Sequence, residues 1–169
     1  MTTSYSNTGG MGDRRSIITV TTNISLYGSV DYFVNGSYAD GENYFVDNGG
    51  SVVDKYMRFQ FTESYCINEL TWRQASVLAE GFWKFQGSVN GSTWIDLSQI
   101  FLMGNPAITI IPFSNKKGYL YYQIIGISGN YYYNPWLYEV EFKIGPQEYI
   151  PYLHSLHDRF RCSPISTSF

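Results

Sequence analysis

Residues 54–61, DKYMRFQF, alternate in character from Tyr56 onward. Tyr56, Arg58 and Gln60 fall on one face of an extended chain, and Met57, Phe59 and Phe61 on the other. A period of two marks a strand with one face buried and one wetted. The alternation returns in 81–88, GFWKFQGS, where Trp83 and Phe85 share a face opposite Lys84 and Gln86. Further β-rich segments are 16–22 (SIITVTT), 67–74, 107–112 (AITIIP), 119–127 (YLYYQIIGI) and 136–144 (WLYEVEFKI). Turns separate them at roughly 8 to 15 residues, which predicts about eight or nine short strands in a sandwich or barrel. No connection has the length or pattern of a crossover helix, so the sheets are expected to be antiparallel. The Asn90-Gly91 pair supplies a tight hairpin turn into Thr93-Trp94-Ile95. The rings of Trp83, Phe85 and Trp94 are expected to fill the space between two sheets, with Trp94 buried.

Composition agrees with an all-β antiparallel β-sandwich. The 169 residues include 16 Tyr, 11 Phe and 4 Trp, types that favour a pleated, half-buried surface. Runs of Ala, Leu, Glu and Lys that would build long helices are few. The formal net charge is −3, without the basic field that neutralises phosphates, so no nucleic-acid partner is expected. No stretch approaches the roughly 18 apolar residues of a membrane span. Three zones separate: a polar, Gly-rich arm at 1–15, a β core at 16–144, and a tail at 145–169 that opens with the strand-breaking Gly145-Pro146.

Read in order, the core resembles the coagulation factor V/VIII type C family, or discoidin domains, with a galactose-binding-like jelly roll. The resemblance covers about residues 30 to 144. It rests on the early turn Val34-Asn35-Gly36, the strand Tyr56 to Phe61, and the central Phe85-Gln86-Gly87-Ser88-Val89-Asn90-Gly91-Ser92-Thr93-Trp94. Tyr119 to Gln123 and the closing Trp136 to Phe142 complete it. The family's usual early Trp and terminal cysteine pair are missing. The resemblance is therefore closer to unbridged versions in bacterial and viral structural proteins. Related jelly rolls often hold a structural Ca²⁺ in the early loop, where Asp31, Asp40, Glu42 and Asp47 lie here. Those residues match no EF-hand spacing and equally suit solvated turns.

Catalytic patterns are sparse. The histidines, His154 and His157, both lie in the tail, and no nucleophile elbow, phosphate loop, dinucleotide fingerprint or zinc-protease motif occurs. Cys66, between Tyr65 and Ile67, reads as a buried thiol. Cys66 and Cys162 can pair by parity, or remain two thiols in a reducing compartment. No enzyme activity, metal or cofactor is expected.

Two segments suggest binding. Tyr131, Tyr132 and Tyr133 are consecutive between two strands and cannot all point inward. At least one ring is expected at the surface, as a carbohydrate site, a subunit interface or local packing. In the tail, Tyr149, Tyr152, Leu153, Leu156 and Phe160 form an approximate helical stripe. That stripe must dock on its own sandwich or on a neighbour, and the expectation is an interface.

The opening residues lack the pattern of a secretory signal. Together with the unbridged core and the two extensions, this leads to an expected virion structural protein, made in a host cytoplasm. It would be a phage tail, fibre or capsid-surface component. Its partners would be other virion proteins, in a homo-oligomer or larger assembly, and cell-surface carbohydrate. The alternative is a bacterial carbohydrate-binding module.

Overall fold

The computed structural model describes residues 12–37, 43–46, 49–75, 77–132 and 134–145. Among them the strands form two antiparallel sheets packed face to face. In the first, β1 (Ile18–Thr22), β4 (Tyr56–Tyr65), β10 (Tyr119–Ser128), β6 (Phe82–Ser88) and β7 (Ile95–Asp96) lie side by side in that order. A further short strand, β8 (Phe101–Leu102), also pairs with β6. In the second, the order is β2 (Leu26–Tyr27), β3 (Asn43–Phe45), β11 (Trp136–Ile144), β5 (Ile67–Gln74) and β9 (Ile108–Pro112). A 3₁₀ turn spans Val30–Val34. The expected all-β antiparallel sandwich is the observed fold.

Alternation builds the core as the sequence predicts. Met57, Phe59 and Phe61 of β4 and Trp83 and Phe85 of β6 are buried, facing Leu70, Trp72, Val140 and Phe142 of the second sheet. Phe142 links the layers, its ring 4.9 Å from that of Phe59 and 5.5 Å from that of Phe61, both edge-on. Edge-to-face packing sets a ring's positive rim against its neighbour's negative face, a gain of about 0.5–1.5 kcal/mol per pair beyond area burial. At the corner where β4 hands over to β5, the Tyr122 hydroxyl donates to the Tyr65 carbonyl and accepts from the Ile67 amide at 3.3 Å. Cys66, in that corner, is buried with Sγ 3.1 Å from the Asn115 carbonyl. Cys162 lies outside the described residues.

One expectation about the core fails. Trp94 is half-buried on the outside of the first sheet, over Arg58, and is not among the core side chains. The turn itself forms, with Gly91 at φ +73°, but the chain between it and the two-residue β7 runs outside strand pairing. No alternation carries the inward face of β6 across to Trp94.

Ion pairs lie on the outside of the second sheet. Glu139 and Glu141 of β11, on the face opposite Val140 and Phe142, are fully buried. Glu139 pairs with Arg14, itself buried, and accepts from the Gly36 amide at 3.0 Å. Arg14 also donates its backbone N–H to the Val34 carbonyl at 2.9 Å. The 3₁₀ turn and the segment leading into β1 are thereby pinned to β11. Glu141 accepts from Arg73 Nε at 3.4 Å.

Candidate functional site

The registers set one end of the sandwich apart. Tyr56 pairs with Ile125, Phe82 with Ser128, and Leu137 with Gln74, so the β10–β11 loop and the loops preceding β4 and β6 meet there. Gly126 sits under this cluster, where a Cβ would lie 1.8 Å from the Val52 carbonyl oxygen. Only glycine lets the 51–55 loop lie so close to β10.

The tyrosine run leaves this end. Gly129, at φ +89°, turns the chain out of β10. Tyr131 then points inward and is 2% exposed, its ring centroid 5.6 Å from Phe45 and 6.2 Å from Trp83. As a ligand-contacting residue Tyr131 is therefore corrected to a core residue, because its ring is enclosed by two others. Tyr132, the next side chain, faces outward and is 69% exposed. Its amide donates to Glu80 Oε2 at 3.0 Å, and Glu80, buried, also accepts through its carbonyl from Trp83 Nε1 at 2.6 Å. The outward ring is thus carried by a backbone anchored to the core at both 131 and 132. Tyr133 lies outside the described residues. Trp136, at the start of β11 on the same end, is also exposed.

A second group of functional type covers the outer face of the first sheet. Arg58 pairs across β4 and β10 with Gln123, which pairs across to Gln86 on β6, which in turn pairs with Asp96 on β7. The side chains follow this row. Arg58 Nε donates to Gln123 Oε1 at 2.8 Å, and Gln123 Nε2 donates to Gln86 Oε1 at 2.5 Å. Gln86 Nε2 donates to Asp96 Oδ1 at 2.7 Å, and Lys84 Nζ to Asp96 Oδ2 at 2.7 Å. These bonds, that from Gln86 first and then that from Lys84, hold the Asp96 carboxyl below its usual range. Rings stand around the row: the Arg58 guanidinium carbon is 3.9 Å from the Tyr56 ring centroid and 5.2 Å from that of Trp94. Reading the sequence segment by segment could not assemble this row, since its members lie on four strands and Arg58 and Gln123 are 65 residues apart in the chain.

The remaining expected site residues lie elsewhere. Tyr149, Tyr152, Leu153, Leu156 and Phe160 are outside the described residues, as are His154, His157, Asp40, Glu42 and Asp47. Among the described residues there is no group of three His, Cys, Asp or Glu side chains placed to hold a metal ion. No helix among them is long and apolar enough to cross a membrane. A groove of about 300 Å³ between Leu97–Phe101 and Ile111–Ser114 is lined mainly by Leu97, Ile100, Phe101, Ile111 and Phe113. Its Ser98 hydroxyl is already spent on the Phe85 amide and the Gln99 carbonyl.

What these groups can do is hold a ligand, by stacking on a ring and exchanging hydrogen bonds with fixed polar atoms. Comparison with known proteins gives the fold a context. No family model matches the chain. No curated protein matches it either. Solved structures do. CpGH89CBM32-5 from Clostridium perfringens, in complex with GalNAc-β-1,3-galactose, matches with TM-score 0.58 and 10% identity over 78% of this chain and 98% of that one. Chitosan-binding module 2 of a chitosanase/glucanase from Paenibacillus sp. IK-5, in complex with chitotriose, matches with TM-score 0.57 and 18% identity over 74% and 95%. GH31 CBM32-2 bound to GalNAc matches with TM-score 0.56 and 20% identity over 75% and 96%. At these identities the likeness is one of fold, and the chain has the galactose-binding-like jelly roll of discoidin-type domains that these carbohydrate-binding modules share.

Proposed function

We propose that this chain is a non-catalytic glycan-binding domain whose ligand stacks on Tyr132 at the loop end of the sandwich. The observation that carries the reading is the pairing of a 69% exposed ring with a backbone tied to buried Glu80. A ring presented from a fixed backbone loses little conformational freedom when a sugar packs on it. Tyr joins a flat apolar face to a hydroxyl, which suits the C–H face and rim hydroxyls of a pyranose. The shared fold of modules that bind GalNAc-β-1,3-galactose and chitotriose supports the choice of ligand class.

Of the two readings of the sequence, this is the carbohydrate-binding alternative, and it is the one the neighbours favour. The virion placement draws no support from them, and the arm and tail stripe that motivated it are outside the described residues apart from Gly12 to Arg15. A glycan array that includes GalNAc-β-1,3-galactose and chitotriose tests the proposal. Binding to at least one neutral glycan, lost in Tyr132→Ala, is the expected result. An array blank for the folded chain would remove the reading, and turnover of a bound glycan would remove its non-catalytic part.

A further inference from the structure

The outer face of the first sheet carries a cation that the rest of that face leaves unneutralised. Among the described residues Arg58 has no carboxylate within ion-pair distance, and its one hydrogen bond is from Nε to Gln123. Asp96, the acid at the far end of the row, is occupied by Gln86 and Lys84. The guanidinium is held in place from two sides. It stacks on Tyr56, and Gln123, only 1% exposed, accepts its Nε–H while donating to Gln86. Both ends of the Gln123 amide are committed, so Gln123 is a positioning strut that cannot turn to meet a ligand itself. The two Nη groups of Arg58 make no hydrogen bond within the described residues. A guanidinium with its Nη edge available matches a carboxylate with two parallel N–H···O bonds. Beside it Trp94 keeps part of its ring exposed, and Tyr121 stands half-buried against the Gly91 turn, its Cδ1 3.4 Å from where a Cβ on Gly91 would lie. An aromatic plane next to an anion fork is the surface complement of a sugar ring that bears a carboxylate.

We infer that this sheet face is a second binding site, separate from the Tyr132 end, and that it takes an acidic saccharide through Arg58 and Trp94. Charge complementarity selects that occupant over a neutral glycan. A neutral sugar offers the guanidinium only hydroxyl and ring oxygens, whose hydrogen bonds lack the charge assistance and two-pronged match of a carboxylate.

Calorimetric titration of the full 169-residue chain with trigalacturonic acid, and with its fully methyl-esterified form, tests the inference. The expected result is saturable binding of the acid, at least tenfold weaker for the ester. The ester comparison needs no variant, so it stands even if a substitution harms folding. Arg58→Gln should weaken binding of the acid at least tenfold with an unchanged melting temperature, Trp94→Ala should weaken it too, and Tyr132→Ala should leave it intact. Three results would overturn the inference: no saturable binding of the acid at millimolar ligand, equal binding of acid and ester, or loss on Tyr132→Ala with Arg58→Gln unaffected. The last would assign acid binding to the loop end, and would leave the proposal for Tyr132 standing.

Discussion

The indole of Trp94 lies 5.2 Å from the guanidinium carbon of Arg58, on the outside of the sandwich. A cation over an exposed or half-exposed ring contributes about 0.5–1 kcal/mol. Trp94→Ala should therefore cost only about 1 kcal/mol of unfolding free energy. Trp83, 1% exposed in the core, should cost about 3–5 kcal/mol when cut to Ala, through lost burial and the cavity left behind. Urea unfolding of the two variants side by side checks the ordering. Equal losses would mean that Trp94 belongs to the core after all.

The Arg14–Glu139 pair gives a second stability test. Both side chains are buried, so removing one leaves the other charged group without its partner in a poorly solvated place. Glu139→Ala should cost about 3–5 kcal/mol. The double variant Arg14→Met with Glu139→Leu should recover most of that loss, because no charge is then stranded. Denaturation midpoints of the single and double variants measure it. A double variant no more stable than the single would show that packing at β11, rather than the ion pair, sets the cost.

Asp96 links the polar row to pH. Its folded-state carboxyl is held below the ordinary value of 3.8, first by Gln86 and then by Lys84. A depressed folded-state value means stability that is present above the unfolded value and lost as pH falls through the folded one. The group is largely exposed, so the effect on stability is small. The row should thus hold to lower pH than an unpartnered carboxylate would allow, and come apart only in stronger acid. Carbon-13 NMR titration should place the Asp96 midpoint below 3.8. Gln86→Ala should raise it more than Lys84→Ala, and the reverse order would contradict the bonding described.

Much of the sandwich was legible because alternation is a local signal. β5 and β11 occupy the residues expected, β6 starts one residue later, and β1 loses two residues at its start to the turn that Arg14 closes. β2 and β8, of two residues, and β3, of three, escaped because so short a segment shows no period, while β7 falls two residues later than the Thr93-Trp94-Ile95 arm expected after the turn. Trp94 was misplaced for the same reason: after Gly91 no strand relays the inward face. The tyrosine run was half legible. Adjacent extended residues must point opposite ways, but identical side chains do not say which is inward, and only the cavity between Phe45 and Trp83 decides for Tyr131. The Arg58–Gln123–Gln86–Asp96 row was not legible at all. It exists only once register aligns four strands, and each member alone reads as an ordinary wetted position.

The central claim is that a glycan stacks on Tyr132. It is tested most directly by isothermal titration of the chain and of Tyr132→Ala with the neutral glycan that scores highest on the array. The account predicts saturable binding to the parent chain and at least a tenfold loss in the variant, about 1.4 kcal/mol or more, with unchanged melting temperature. Equal affinity for the two proteins would contradict it.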